Sequence, residues 1–210
     1  NEIHCELNLN VIENHYDSSI KITLLQMQGG HSGMEINKNQ GNAIKVIFSI
    51  LNKLEEFSLS YVNGGVATNA IPKECEMSLS YYDKDFELIK KIINDEFEKI
   101  KNQLDMPSAE INIEKTSKKE KIFNKETTQK LISTINKIPT GVIKMSENID
   151  GLVKTSNNLG TIETNENKII MNCMFRSSSI LDLEELEIKL KEILKKFNKV
   201  EAKGKYPGWE

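Results

Sequence analysis

Tryptophan occurs once in these 210 residues, proline four times, and cysteine and histidine three times each. Each scarcity excludes something. Cys5, Cys75 and Cys173 are odd in number and far apart, so they form no disulfide framework, and a reducing cytoplasm is expected. His4, His15 and His31 show no H-x-x-x-H spacing and the cysteines no C-x-x-C. Structural zinc needs about four close ligands and catalytic zinc about three, so no complete metal site is encoded. No apolar run approaches the roughly 18 residues that cross a bilayer. The net charge of −3 argues against nucleic acid or an anionic membrane as the main partner. The start, NEIHCELNLN, has no basic segment followed by an apolar block, so no signal peptide is expected. The chain neither begins with methionine nor tapers off after YPGWE, and so reads as an excised piece of something longer.

What is present is a legible alternation of periods. Ile20, Ile22 and Leu24 alternate as a half-buried strand, and Ile44, Ile47, Leu51 and Leu54 recur at helical spacing within 40–56. SLSYV (58–62) is a short strand, and Cys75, Met77, Leu79 and Tyr81 alternate cleanly. Phe86, Ile89, Ile93, Phe97, Ile100 and Leu104 mark a long amphipathic helix, after which Ile111 and Ile113 form a strand. The order β-α-β-β-α-β is that of a ferredoxin-like unit.

The second half partly repeats it. Asn124 is an N-cap ahead of the stripe Leu131, Ile132, Ile135 and Ile138. Strands follow at 142–145, within 151–163 and at 169–175. Asp182, with Glu185 three residues on, reads as a capping box for a helix with stripe Leu183, Leu186, Leu190, Ile193 and Phe197. Val200 and Ala202 close the unit. Its opening strand is not evident, and 111–122 is a candidate to serve both halves. The lysine-rich KTSKKEKIF (115–123) reads as a solvated connector, and no low-complexity linker intervenes. The expected fold class is α+β, an antiparallel sheet with helices on one face. It comprises a single domain over 1–210 with two similar halves, about 14–115 and 116–210.

Known catalytic motifs fail on spacing. GGHSG (29–33) lacks the Gly-Lys-Ser/Thr of a phosphate loop, and Ser32 has its glycine one residue too early for a G-x-S-x-G elbow. Isolated polar residues beside glycine turns remain. His31 follows a diglycine, Asn69 lies in NGGVATNAIP (63–72), and Arg176 ends a strand amid abundant lysine. Arginine offers a planar fork for a carboxylate where lysine offers a point charge. The residues alone favour plainer readings: a turn histidine, an asparagine satisfying its loop, and an arginine in a surface ion pair. All three nevertheless stand at strand ends, where scaffolds present functional groups.

Five segments, GGHSGMEINKNQGNAIKV, GGVATNAIPKECEMSL, GLVKTSNNLG, FRSSS and YPGWE, together resemble the aminoacyl-histidine dipeptidases. These bacterial Xaa-His enzymes belong to the zinc aminopeptidase and carboxypeptidase superfamily that includes the carnosinases. The resemblance implies the lid domain of a cytoplasmic metallodipeptidase, a peptide hydrolase with two zinc ions. The metal-binding catalytic domain would lie outside this chain, which would be inactive alone and bind no metal. It further implies a homodimer and a dipeptide substrate. By the same resemblance, His31 stabilises the oxyanion, possibly from the partner subunit, while Asn69 contacts substrate and Arg176 holds its C-terminal carboxylate. SLSYYDKD departs from the arginine-bearing strand end of many superfamily members, so no role passes to Tyr81, Tyr82 or Lys84. The competing expectation is a non-enzymatic tandem ferredoxin-like scaffold for dimerisation or small-ligand sensing.

Overall fold

The computed structural model describes residues 1–204, and the motif YPGWE lies outside the described residues. In chain order the strands begin with β1 (Glu2–Asn8), β2 (Val11–Glu13), β3 (Ser18–Leu25) and β4 (Gly30–His31). Helix α1 (Ala43–Leu51) precedes β5 (Phe57–Gly64), β6 (Ala70–Ile71) and β7 (Cys75–Tyr81). Helix α2 (Phe86–Gln103) leads to β8 (Glu110–Thr116) and β9 (Lys121–Phe123). Helix α3 (Lys125–Lys137) is followed by β10 (Gly141–Met145), β11 (Val153–Asn165) and β12 (Lys168–Ser177), and α4 (Ile180–Leu194) by β13 (Lys199–Lys203).

The main sheet runs β13-β1-β12-β11-β5-β7-β3-β8, with β10 paired to β11. It contains the expected ferredoxin-like pattern twice. The first unit is β3-α1-β5-β7-α2-β8, ordered β8-β3-β7-β5 in space. The second is β1-α3-β11-β12-α4-β13, ordered β13-β1-β12-β11. The opening strand not evident in the sequence is therefore β1, at the N-terminus. The first unit is inserted between β1 and α3. Where the chain leaves and returns, β2 pairs with β9, and Asn14 N donates to Glu120 O at 2.8 Å. Residues 111–122 do not serve both halves: β8 pairs with β3, and β9 belongs to the separate ribbon.

One face of the sheet is apolar at every second residue. Ile20, Ile22 and Leu24 of β3, Cys75, Met77, Leu79 and Tyr81 of β7, and Met171, Cys173 and Phe175 of β12 are all essentially buried. The four helices cover this face in the row α2-α1-α3-α4. Each such side chain contributes about 1.5–3 kcal/mol by leaving water. The cysteines are free and buried, and the loss of water pushes the Cys173 thiol up to about 12. The sequence overextends α1, which stops at Leu51 well short of 56, although Leu54 still packs into the core.

Capping follows the sequence at α3, where the Asn124 side chain accepts from Thr127 N. At α4 it does not. Ser179 is the N-cap and accepts from Asp182 N at 3.3 Å, so the expected capping box on Asp182 is displaced by three residues. The Asp182 carboxylate instead meets Lys144 at 2.6 Å and Lys154 at 2.8 Å, tying α4 to β10 and β11. These lysines hold Asp182 down at about 2. Glu6 is likewise held at about 2, by Lys168 and His4.

The two units meet where β5 runs antiparallel to β11, pairing Gly64 with Ile162 and Asn63 with Glu163. Above that seam, Lys45 Nζ of α1 donates to the carbonyls of Ile135, Asn136 and Ile138 at 2.6, 3.0 and 2.7 Å. It thus satisfies the carbonyl end of α3, which has no partners within its own helix. Burial lowers the Lys45 ammonium to about 8. Gly65 has φ +73, and a Cβ there would lie 1.9 Å from Gly160 O.

Gly65→Ala is expected to destabilise the protein by about 3 kcal/mol, from left-handed strain plus backbone overlap, read as a lower urea midpoint. Acid should act through the clamped carboxylates. Their folded pKa values lie below the ordinary value of about 4, so their stabilisation is complete above that pH and lost as pH falls through about 2. Calorimetric melting temperature should therefore be flat from about pH 7 to 5 and fall below about 4, with a shallower fall in Asp182→Asn.

Candidate functional site

The two glycine turns flagged in the sequence are bound to each other. After β3 the chain turns through Gly29 (φ 63) and Gly30 (φ 140), conformations that side chains disfavour. Strand β4 then pairs with β6, Gly30 opposite Ile71 and His31 opposite Ala70. Ser32 N donates to Asn69 O at 2.9 Å, which extends the contact by one residue. The loops of His31 and Asn69 thus form one platform.

His31 is held on several sides. Its backbone N–H donates to Glu35 Oε2 at 2.9 Å, and its carbonyl accepts from Glu35 N at 2.9 Å. The first of these bonds, followed by Lys38, lowers the Glu35 carboxyl below its ordinary range. Gly33 N–H donates to His31 Nδ1 at 3.2 Å. A neutral imidazole that accepts at Nδ1 carries its proton on Nε2. The ring therefore presents an N–H donor on its outer side.

Arg176, the only arginine in the sequence, comes from the second unit at the end of β12. Nη1 donates to Ser32 Oγ at 3.2 Å and Nη2 to Met174 Sδ at 2.9 Å. Ser32 is itself buried. A Cβ on Gly33 would meet Arg176 Nη1 at 2.4 Å and His31 Cε1 at 3.0 Å, so imidazole and guanidinium flank the same glycine. Partial burial lowers the Arg176 pKa, and no carboxylate pairs with it among the described residues. A half-desolvated guanidinium without a counter-ion is a ready site for an anionic group with two oxygens.

Asn69 is exposed, between His31 and the loop tip. It lines a hollow of about 500 Å³ with His31, Gly65, Val66, Pro72 and Lys73. The hollow is mostly apolar, and Val66 is 94% exposed at its rim. A larger hollow of about 710 Å³ opens between α1, α3 and β10 and contains none of the three residues.

The structure therefore brings together His31, Asn69 and Arg176, which stand far apart in the chain. It also reveals supporting residues that sequence reasoning passed over. Ser32 fails as a nucleophile but steadies Arg176. Glu35 holds the His31 backbone, and its only sequence signal is a carboxylate four residues on. Asn158 lies within the quoted segment GLVKTSNNLG, where nothing marked it as touching the Asn69 loop.

The histidines do not combine as metal ligands. His4 bonds Asn172 and Glu6, His15 stacks on Tyr16, and His31 spends Nδ1 on Gly33. Among the described residues no three His, Cys, Asp or Glu side chains gather as a metal site. The described residues therefore offer no ligand set that fits zinc.

Known proteins locate this arrangement. Residues 19–105 match the family model described as the peptidase dimerisation domain. The cytosol non-specific dipeptidase of Escherichia coli (strain K12) is 30% identical over 200 residues, covering 91% of this chain and 41% of that protein. The crystal structure of aminoacylhistidine dipeptidase from Vibrio alginolyticus aligns with a TM-score of 0.90 at 28% identity, over 100% of this chain and 44% of that one. The chain spans less than half the length of either relative. The first unit thus matches the peptidase dimerisation domain, and the fold across both units is shared with part of aminoacylhistidine dipeptidase.

Proposed function

We propose that this chain is the substrate-closing lid of a cytoplasmic metallodipeptidase that hydrolyses a broad range of Xaa-His-type dipeptides and works as a homodimer. The observation that carries the reading is the Arg176 guanidinium, without a carboxylate partner among the described residues, beside the His31 ring and the Asn69 loop. In a dipeptide the terminal carboxylate lies one residue from the scissile carbonyl, so recognition of both needs their partners within a few ångströms of one another.

Each residue has a definite task in that reading. Arg176 receives the terminal carboxylate, with Ser32 limiting where its fork points. His31, protonated at Nε2, donates to the oxygen of the scissile carbonyl as negative charge builds on it. Asn69 contacts the substrate from the same platform. In such an enzyme two zinc ions would supply the hydrolytic nucleophile, held by ligands of a catalytic domain outside this chain. The lid's own contribution is to bind, orient and exclude water as it closes.

In the enzyme carrying both domains, His31→Ala is expected to lower kcat by about 10²- to 10³-fold with zinc content unchanged. A near-normal kcat would remove His31 from the mechanism. Arg176→Ala should raise KM steeply for a dipeptide but hardly at all for its C-terminal amide, which has no carboxylate to lose. Equal effects on both substrates would place the carboxylate elsewhere. The lid without its catalytic domain should bind dipeptides weakly or not at all by calorimetry, whereas tight binding would favour a ligand-sensing scaffold.

A further inference from the structure

We infer that Asn158 is a positioning residue that aims Asn69 at the substrate from the opposite unit of the fold, an inference that rests on the dipeptidase reading above. Asn158 sits on β11 and is 1% exposed. Its Nδ2 donates to Thr68 O at 3.0 Å and to Ala70 O at 2.8 Å, the carbonyls on either side of Asn69. The carbonyl of Asn69 itself accepts from Ser32 N. Three consecutive carbonyls are therefore held, two by one amide group of the second unit and one by the His31 loop.

The other end of the amide is held as well. Asn158 Oδ1 accepts from Asn42 Nδ2 at 3.3 Å, and the same Nδ2 donates to Leu159 O at 2.8 Å. Asn42 in turn caps α1 by accepting from Lys45 N. The Asn158 amide is thus fixed in the sense that points both its hydrogens at the loop. Gly160 lets the loop lie directly on β11, because a Cβ there would come within 2.6 Å of Thr68 Cα and O. The register of β11 against β12 slips between Leu159 and Thr161 at this place.

The consequence is geometric. A residue whose backbone is pinned on both sides has a fixed Cα–Cβ direction, so the point from which the Asn69 side chain reaches out is set by β11. The same strand pairs with β12, with Ser156 opposite Arg176. β11 therefore sets the position of the asparagine and of the arginine together, and with it the separation between two substrate contacts. Asp at 158 would keep the shape but would offer only acceptors to two carbonyls, and the loop would be released.

The test is a double-mutant cycle in the enzyme carrying both domains, with an Xaa-His dipeptide as substrate. Asn158→Asp and Asn69→Ala are each expected to lower kcat/KM by about 10²-fold through KM more than kcat, with zinc content unchanged. The double variant should lose no more than the worse single one. A merely structural residue would instead multiply its loss with that of Asn69→Ala. Such multiplication, or an Asn158→Asp effect within about twofold of wild type, overturns the inference. If Asn158→Asp does not fold, Asn158→Ser keeps one donor for the loop, and the same cycle decides. A wild-type enzyme that hydrolyses no dipeptide would fail the functional reading and this inference together. An active wild type that responds to His31→Ala but shows an additive cycle would fail this inference alone.

Discussion

Everything distinctive in this protein depends on how closely two backbones approach at the seam between its units. Gly65 and Gly160 face each other there, and a methyl group on either would overlap main-chain atoms of the opposite side. That proximity lets β5 hydrogen-bond to β11 and makes two small sheets continuous. It also lets the amide of Asn158 reach the loop beneath Asn69. The seam buries polar groups, and several of them find partners across it. Lys45 closes the end of α3, Asn136 Nδ2 reaches Phe48 O at 3.0 Å, and Thr164 exchanges hydrogen bonds with Val62.

The insertion of one ferredoxin-like unit within another explains why the site is built from both. β12, which carries Arg176, belongs to the second unit, and the turns with His31 and Asn69 belong to the first. Neither unit holds the histidine and the arginine together. The joined sheet supplies a stiff baseline across which the two sets of residues keep their spacing, and stiffness of this kind is what orientation of a small substrate requires. Among the described residues no carboxylate lies against Arg176, which leaves the guanidinium available at the cost of partly burying it.

Much of the fold was readable from periodicity. Strands β3, β7 and β12 alternate so regularly that their buried faces follow from the residues alone, and α2 and α3 carry complete stripes. The errors have physical causes. α4 begins at Ser179 because a serine hydroxyl competes with Asp182 for the cap, and Asp182 gains more from two lysines brought by β10 and β11. β1 escaped notice because the strand that opens the second unit lies more than a hundred residues ahead of α3, so no local pattern links it to its partners.

The sequence by itself determined the types and order of the elements, since burial of alternate or every third to fourth side chain is a local property of the chain. It also singled out His31, Asn69 and Arg176 as polar residues at strand ends. The tertiary structure alone decided that Arg176 meets the platform of His31 and Asn69, because β4 pairs with β6 and Arg176 of β12 reaches Ser32 on it. It alone decided that the backbone N–H of Gly33 meets Nδ1 of the His31 ring. Such contacts depend on a few glycines permitting backbones to touch, and a glycine in a sequence does not say what it touches.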